Sequence, residues 1–145
     1  MKKLIVLLLF PLVSFSQTYE DIISIDSKEQ FIRIGIENDY EVIENNNNSV
    51  KLALEPRKNK KKETIAKGFA NYEDYKELFI AVDFQFHRKN LIQKSKYDKI
   101  FSFVKKNLKF KEVSDDASWY TLDEKRELGF GLDGNWCVVF LYTDY

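Results

Sequence analysis

The sequence predicts an α+β fold, with two helices packed on a mainly antiparallel sheet and the elements ordered as two helix-plus-four-strand pseudo-repeats. Three observations lead there. Within residues 76–88, Leu78, Ile80, Val82, Phe84 and Phe86 alternate with Glu77, Asp83, Gln85 and His87, the pattern of a strand with one wet face. Tyr97, Ile100, Phe101, Val104 and Leu108 instead fall at helical spacing. Apolar positions also recur at an offset of seventy, pairing Phe31 with Phe101, Ile34 with Val104, Tyr40 with Phe110, Ile43 with Val113 and Leu52 with Leu122.

The elements follow in order. Ser27 is an N-cap candidate with Gln30 at the capping-box spacing, and Phe31, Ile32, Ile34 and Ile36 carry a helix over 27–38 that runs out at Asn38-Asp39. Strands at 40–44 and 49–54 flank the turn-rich Asn45–Asn48 run. Strands at 63–72 and 76–88 flank Glu73-Asp74-Tyr75. A second helix starts at a Ser95 cap, with Asp98 facing the positive end of its dipole and Lys96, Lys99, Lys105 and Lys106 on the outward side. After it come strands at 109–113 and 118–122, then strands at 127–132 and 136–142 around Asp133-Gly134-Asn135, where glycine removes the penalty for positive φ. The last strand is apolar on both faces, which predicts a central or covered position. In layout alone this doubled arrangement is similar to the β-lactamase inhibitory proteins, which also repeat a helical segment followed by four strands. No residue motif accompanies the likeness, so it assigns no functional residue.

The N-terminus reads as an export signal. Met1-Lys2-Lys3 precedes an apolar run over 4–15, too short for the roughly twenty residues of a spanning helix. Ser14-Phe15-Ser16 then places small residues at a cleavage site between Ser16 and Gln17, and no cysteine follows to take a lipid. Residues 1–16 are thus expected to be removed, leaving one α+β domain over 17–145, periplasmic or secreted, with no stable membrane anchor. The full chain has 23 basic and 23 acidic side chains; loss of Lys2 and Lys3 leaves 21 against 23, a net of −2. A lysine-rich, arginine-poor composition with an asparagine run fits a low-GC bacterial gene. A near-neutral exported chain is a poor match for nucleic acid.

Few residues point to chemistry. Cys137 is the single cysteine, so an intrachain disulfide and a cysteine-rich metal site are both excluded; within Trp136–Leu141 it reads as a buried thiol. His87 is the single histidine, which removes the common multi-histidine metal sites, and it reads as a solvated strand end. No cofactor fingerprint is present. Asp115, Asp116, Asp123 and Glu124 bound the strand that holds Trp119 and Tyr120 and read either as acidic turns or as the carboxylates of a glycan-binding hydrolase. The sharpest charge feature is Arg57, Lys58, Lys60, Lys61 and Lys62, five basic groups in six residues, expected on an exposed loop able to meet phosphate groups, acidic polysaccharide or an acidic protein face. Of the aromatics, Tyr72, Tyr75, Trp119 and Tyr145 lie near predicted turns or ends and are candidates for exposure.

The expectation is a non-enzymatic, exported bacterial module that binds another exported or envelope protein through an open sheet face or the basic loop. The alternatives are a glycan-binding protein or hydrolase acting near Trp119, and a structural component that oligomerises through the last strand.

Overall fold

The computed structural model describes residues 18–145; the export signal and its cleavage point at Ser16 and Gln17 lie outside the described residues. Thirteen elements follow one another: α1 (Tyr19–Ile23), α2 (Lys28–Glu37), β1 (Tyr40–Asn45), β2 (Ser49–Leu54), β3 (Arg57–Lys58), β4 (Thr64–Ile65), β5 (Gly68–Tyr75), β6 (Phe79–His87), α3 (Leu91–Asn107), β7 (Lys109–Ser114), β8 (Ala117–Thr121), β9 (Arg126–Asp133) and β10 (Trp136–Asp144). Eight strands form one antiparallel sheet in the order β1-β2-β5-β6-β10-β9-β8-β7, and β3 and β4 form a separate two-stranded ribbon. The fold is α+β, as expected. None of the described helices is long and apolar enough to cross a membrane.

The strand order shows how the two repeats join. Each half lays down four strands as a meander, and the last strands of the halves, β6 and β10, pair at the centre. Both have nine residues, and they start 57 positions apart, at Phe79 and Trp136. In their register Asp83 faces Phe140. These two residues are also 57 apart, so the local two-fold relating the halves passes through this pair. Both edge strands carry a register shift, at Val42/Glu44 in β1 and at Phe110/Glu112 in β7, which blunts them against edge-to-edge pairing.

Both long helices lie on one face of the sheet. Phe31 and Ile34 from α2, and Tyr97, Ile100 and Val104 from α3, meet Val50, Leu52, Tyr72, Val82, Phe84, Phe86, Leu128, Phe130, Val139 and Leu141 in one buried cluster. Burying a phenylalanine such as Phe84 contributes about 1.5–3 kcal/mol, so this layer dominates the stability of the fold. Cys137 faces the same layer and is fully buried; burial pushes its thiol pKa up.

Several boundaries differ from the sequence expectation. There are three described helices, not two: Thr18 and Asp21 form a capping box that starts the short α1. Its Ile22 reaches the core, and Arg126 Nη1 donates to the Ile23 carbonyl at 2.5 Å. The long helix starts at an Asn90 cap, because Asn90 Oδ1 accepts from the Ile92 and Gln93 amides and so satisfies the first turn five residues before Ser95 would. The strand expected at 63–72 is split into β4 and β5, and Glu73-Asp74-Tyr75 belongs to β5. The turn falls instead at Lys76-Glu77-Leu78, with Glu77 at φ 67. Leu78 is therefore 68% exposed and leaves the buried row that Ile80, Val82, Phe84 and Phe86 form. The last strand, β10, lies between β6 and β9 near the centre of the sheet, as its two apolar faces require.

Candidate functional site

The helices cover one face of the sheet, and alternation directs the other set of side chains away from them. That second face carries two aromatic groups with a polar seam between them. The first is a line of five rings: Tyr75 stacks on Phe79 at 4.6 Å between centroids, Phe79 meets Tyr142 at 5.6 Å, Tyr142 meets Trp119 at 5.0 Å, and Trp119 stacks on Phe140 at 5.9 Å. These residues come from β5, β6, β10 and β8, so the line crosses most of the sheet. The second group is smaller. Phe69 packs edge-on against Trp136 at 5.4 Å, His87 packs against the same indole at 5.0 Å, and the Lys51 ammonium sits 5.2 Å from the Phe69 centroid.

Trp119 reaches its place because β9 offers Gly129 opposite it. A Cβ at Gly129 would come within 2.7 Å of the indole, so only glycine lets the ring lie flat over the backbone. The indole N–H donates to the Ser114 carbonyl at 3.1 Å, and Trp119 is only 7% exposed. It supports the aromatic line from beneath. Tyr75 and Tyr142 present that line to solvent, at 44% and 37% exposed. Of the four aromatics singled out in the sequence, Tyr75 and Tyr145 are exposed, whereas Tyr72 and Trp119 are buried.

Asp83 occupies the seam. Its Oδ2 accepts from Asn71 Nδ2 and from Gln85 Nε2, both at 2.9 Å. Burial raises the Asp83 pKa above the ordinary carboxylate range, while the two hydrogen bonds oppose the shift. Register places Glu41, Glu44, Glu73, Asp83, Glu112, Glu127, Asp133 and Asp144 on this face, with Lys51 and Lys109. Lys111 joins them through its ion pair with Glu127. Eight acids against three lysines make the face acidic. The outer side of α3 is the opposite, with Lys94, Lys96, Lys99, Lys105 and Lys106 around a single Asp98. The near-zero net charge of the chain thus combines an acidic sheet face with lysine-rich stretches along α3 and in residues 57–62.

The basic cluster is divided. Arg57 and Lys58 form β3, while Lys60, Lys61 and Lys62 lie in the turn that joins it to β4. Asn59 organises that turn: its Oδ1 accepts from the Lys61 and Glu63 amides, and its Nδ2 donates to Glu63 at 2.7 Å. Lys58 donates to Thr64 Oγ1 at 2.6 Å. The tip lysines are exposed, whereas Arg57 lines a cleft with His87, Lys89 and Asn90.

The acidic residues around Trp119 are separated by the strand they bound. Asp115 and Asp116 make the tight β7–β8 turn, both at positive φ, and Asp123 and Glu124 lie beyond the other end of β8. Five residues of strand hold the two groups roughly 17 Å apart, against the roughly 5–9.5 Å between the carboxyl groups of glycosidases. Asp123 is engaged by Arg126, whose guanidinium holds its carboxyl below the ordinary range. No signal in the linear sequence marks the helix-free face as a unit, because its residues come from strands far apart in the chain. The alternation within 76–88 reveals Asp83, Gln85 and His87 as one side, and only the pairing of β6 with β10 adds Phe140 and Tyr142 to them.

Comparison with known proteins adds no relative: no protein-family model, no curated protein and no solved structure matches this chain.

Proposed function

We propose that this chain is an exported, non-enzymatic module that binds another exported protein through the helix-free face of its sheet. The observation that carries this reading is the five-ring aromatic line ending in the exposed Tyr75 and including Tyr142, set in an acidic surround. Aromatic side chains bring large contact area at low entropic cost and concentrate binding energy at interfaces. Eight carboxylates beside three lysines favour a partner with a basic surface, since complementary charge steers encounter and selects against acidic competitors. Strand-built and backed by two core-packed helices, the face is rigid before binding, which lowers the ordering cost of association.

The test is affinity capture from periplasmic, envelope and medium fractions with three forms of the purified chain. Wild type is expected to retain one partner near one-to-one recovery. A Tyr75→Ser/Tyr142→Ser double variant should lower that recovery at least about tenfold, the effect of losing roughly 1.4 kcal/mol or more. An Ile36→Ser/Leu91→Ser variant, which alters exposed apolar residues on the helices, should leave it unchanged. Equal recovery with all three forms contradicts the proposal.

A further inference from the structure

Arg57, one end of the basic cluster that the sheet-face reading leaves unused, borders a cleft. The thirteen residues between β2 and β5, positions 55–67, fold back so that the β3–β4 ribbon stands beside the junction of β6 and α3. Between them is a cleft of about 490 Å³, within the size range of small-ligand sites. Three cationic side chains line it, Arg57 and Lys67 from the ribbon segment and Lys89 from the junction, against one carboxylate, Glu55. Glu55 is already paired with Lys67 at 2.6 Å, which leaves the charges of Arg57 and Lys89 in excess. His87 lines the same cleft; its Nδ1 accepts from the Lys89 amide at 3.3 Å, which leaves Nε2 as the N–H donor of the ring. Ile65 and Ala66 supply an apolar wall.

We infer that this cleft binds a phosphomonoester, with Arg57 and Lys89 holding the phosphate and the wall at Ile65 and Ala66 receiving the organic group. The donor set fits that chemistry. A guanidinium offers two parallel N–H groups to a phosphate, an ammonium adds a mobile charge, and the imidazole adds an N–H donor. The five-basic run of the sequence is then not one binding loop. Arg57 faces the cleft, and the tip lysines 60–62 only raise the local potential that draws anions toward it.

The test is NMR titration of the full chain with inorganic phosphate, glucose 6-phosphate and glucose, together with flotation on vesicles with and without phosphatidic acid. Saturable shifts at Ile65, Ala66 and residues 87–90 with glucose 6-phosphate, and none with glucose, are expected. Capture by phosphatidic-acid vesicles without a response to the soluble phosphates would support the same chemistry with a lipid headgroup as its source. Arg57→Ser/Lys89→Ser should weaken binding at least about tenfold, whereas Lys60→Ser/Lys61→Ser/Lys62→Ser should stay within roughly twofold. All five positions are exposed, so an unchanged amide spectrum verifies folding in each variant. No saturable response to any phosphate form, or equal loss in both variants, overturns the inference.

Discussion

The two halves of the sheet share a plan and differ in what they attach to it. α2 followed by β1, β2, β5 and β6 has the same order and pairing as α3 followed by β7, β8, β9 and β10. The offset between matching elements is 70 at the helix ends, Glu37 and Asn107, but 58 at the starts of β5 and β9, Gly68 and Arg126. The shortfall arises mainly in one place. Thirteen residues join β2 to β5, and four residues, 122–125, join β8 to β9. The basic ribbon is therefore an addition to the first half only. Packing differs too. Tyr40 of β1 is 5% exposed, while its counterpart Phe110 in β7 is 53% exposed. α2 can sit closer to its strands because Gly35 has no side chain, and at the matching position α3 has Lys105. The repeated pattern thus builds the sheet and core, while departures from the pattern mark the regions available for binding. The sharpest departure lies on the two-fold itself, where Asp83 faces Phe140 across β6 and β10.

The largest effect is expected at the centre, where the halves depend on each other. Phe84→Ala in β6 should lower stability by about 3–5 kcal/mol and Leu141→Ala in β10 by about 2–5 kcal/mol, since both side chains are almost fully buried. Denaturant unfolding should show one cooperative transition in each variant. Two separate transitions would mean that the halves fold independently and would break the comparison.

Gly35→Ala tests the closer approach of α2. The added Cβ would overlap Leu52 Cδ1, and because Leu52 is fully buried its side chain can shift only against other core residues. Overpacking of about 1–3 kcal/mol should outweigh the roughly 1 kcal/mol gained in helix propensity. Lys105→Ala at the matching place on α3 should change stability by no more than about 0.5 kcal/mol. Equal effects at both positions would show that the two helices pack alike.

Replacing residues 55–67 with a four-residue link copied from 122–125 should cost less than about 1 kcal/mol, because loop length enters closure entropy only weakly and the ribbon pairs only with itself. The same replacement should abolish the phosphate response. A large loss of stability, read by thermal unfolding, would make the ribbon a structural part of the first half.

The smallest effect concerns the polar member of the central pair. Asp83 has a raised folded-state pKa, so between the ordinary carboxylate value of about 3.9 and that raised value the folded state binds more protons than the unfolded state. Stability should therefore fall as pH rises through this window and level off above it. Asp83→Asn should remove that component of the slope, measured as urea midpoints across mildly acidic pH. An unchanged slope would place the Asp83 carboxyl in a more solvated setting than the seam provides.

Much of the architecture was legible because it rests on local periodicity. Alternation from Ile80 to Phe86, helical spacing from Tyr97 to Val104 and the Ser27 cap each specify an element from neighbouring residues. Boundaries were less legible where several residues compete for one role. Asn90 and Ser95 both have N-cap chemistry, and Asn90 prevails because the helix extends far enough to use it. Glu73-Asp74-Tyr75 has turn-like composition, yet each residue is paired with β6. The site was barely legible at all. The rings of Tyr75, Phe79, Trp119, Phe140 and Tyr142 are up to 67 positions apart, and only the strand order brings them together. For the same reason Trp119 is a candidate for exposure in the sequence, while Gly129 lets it lie buried against the sheet.

The most direct test of binding through the sheet face is amide hydrogen exchange on the chain alone and saturated with its captured partner. Added protection is expected to be confined to β5, β6, β8, β9 and β10 and to the turns that border their helix-free face, with α2 and α3 unchanged. Protection centred on the outward surfaces of α2 and α3, with those strands unaffected, would contradict it.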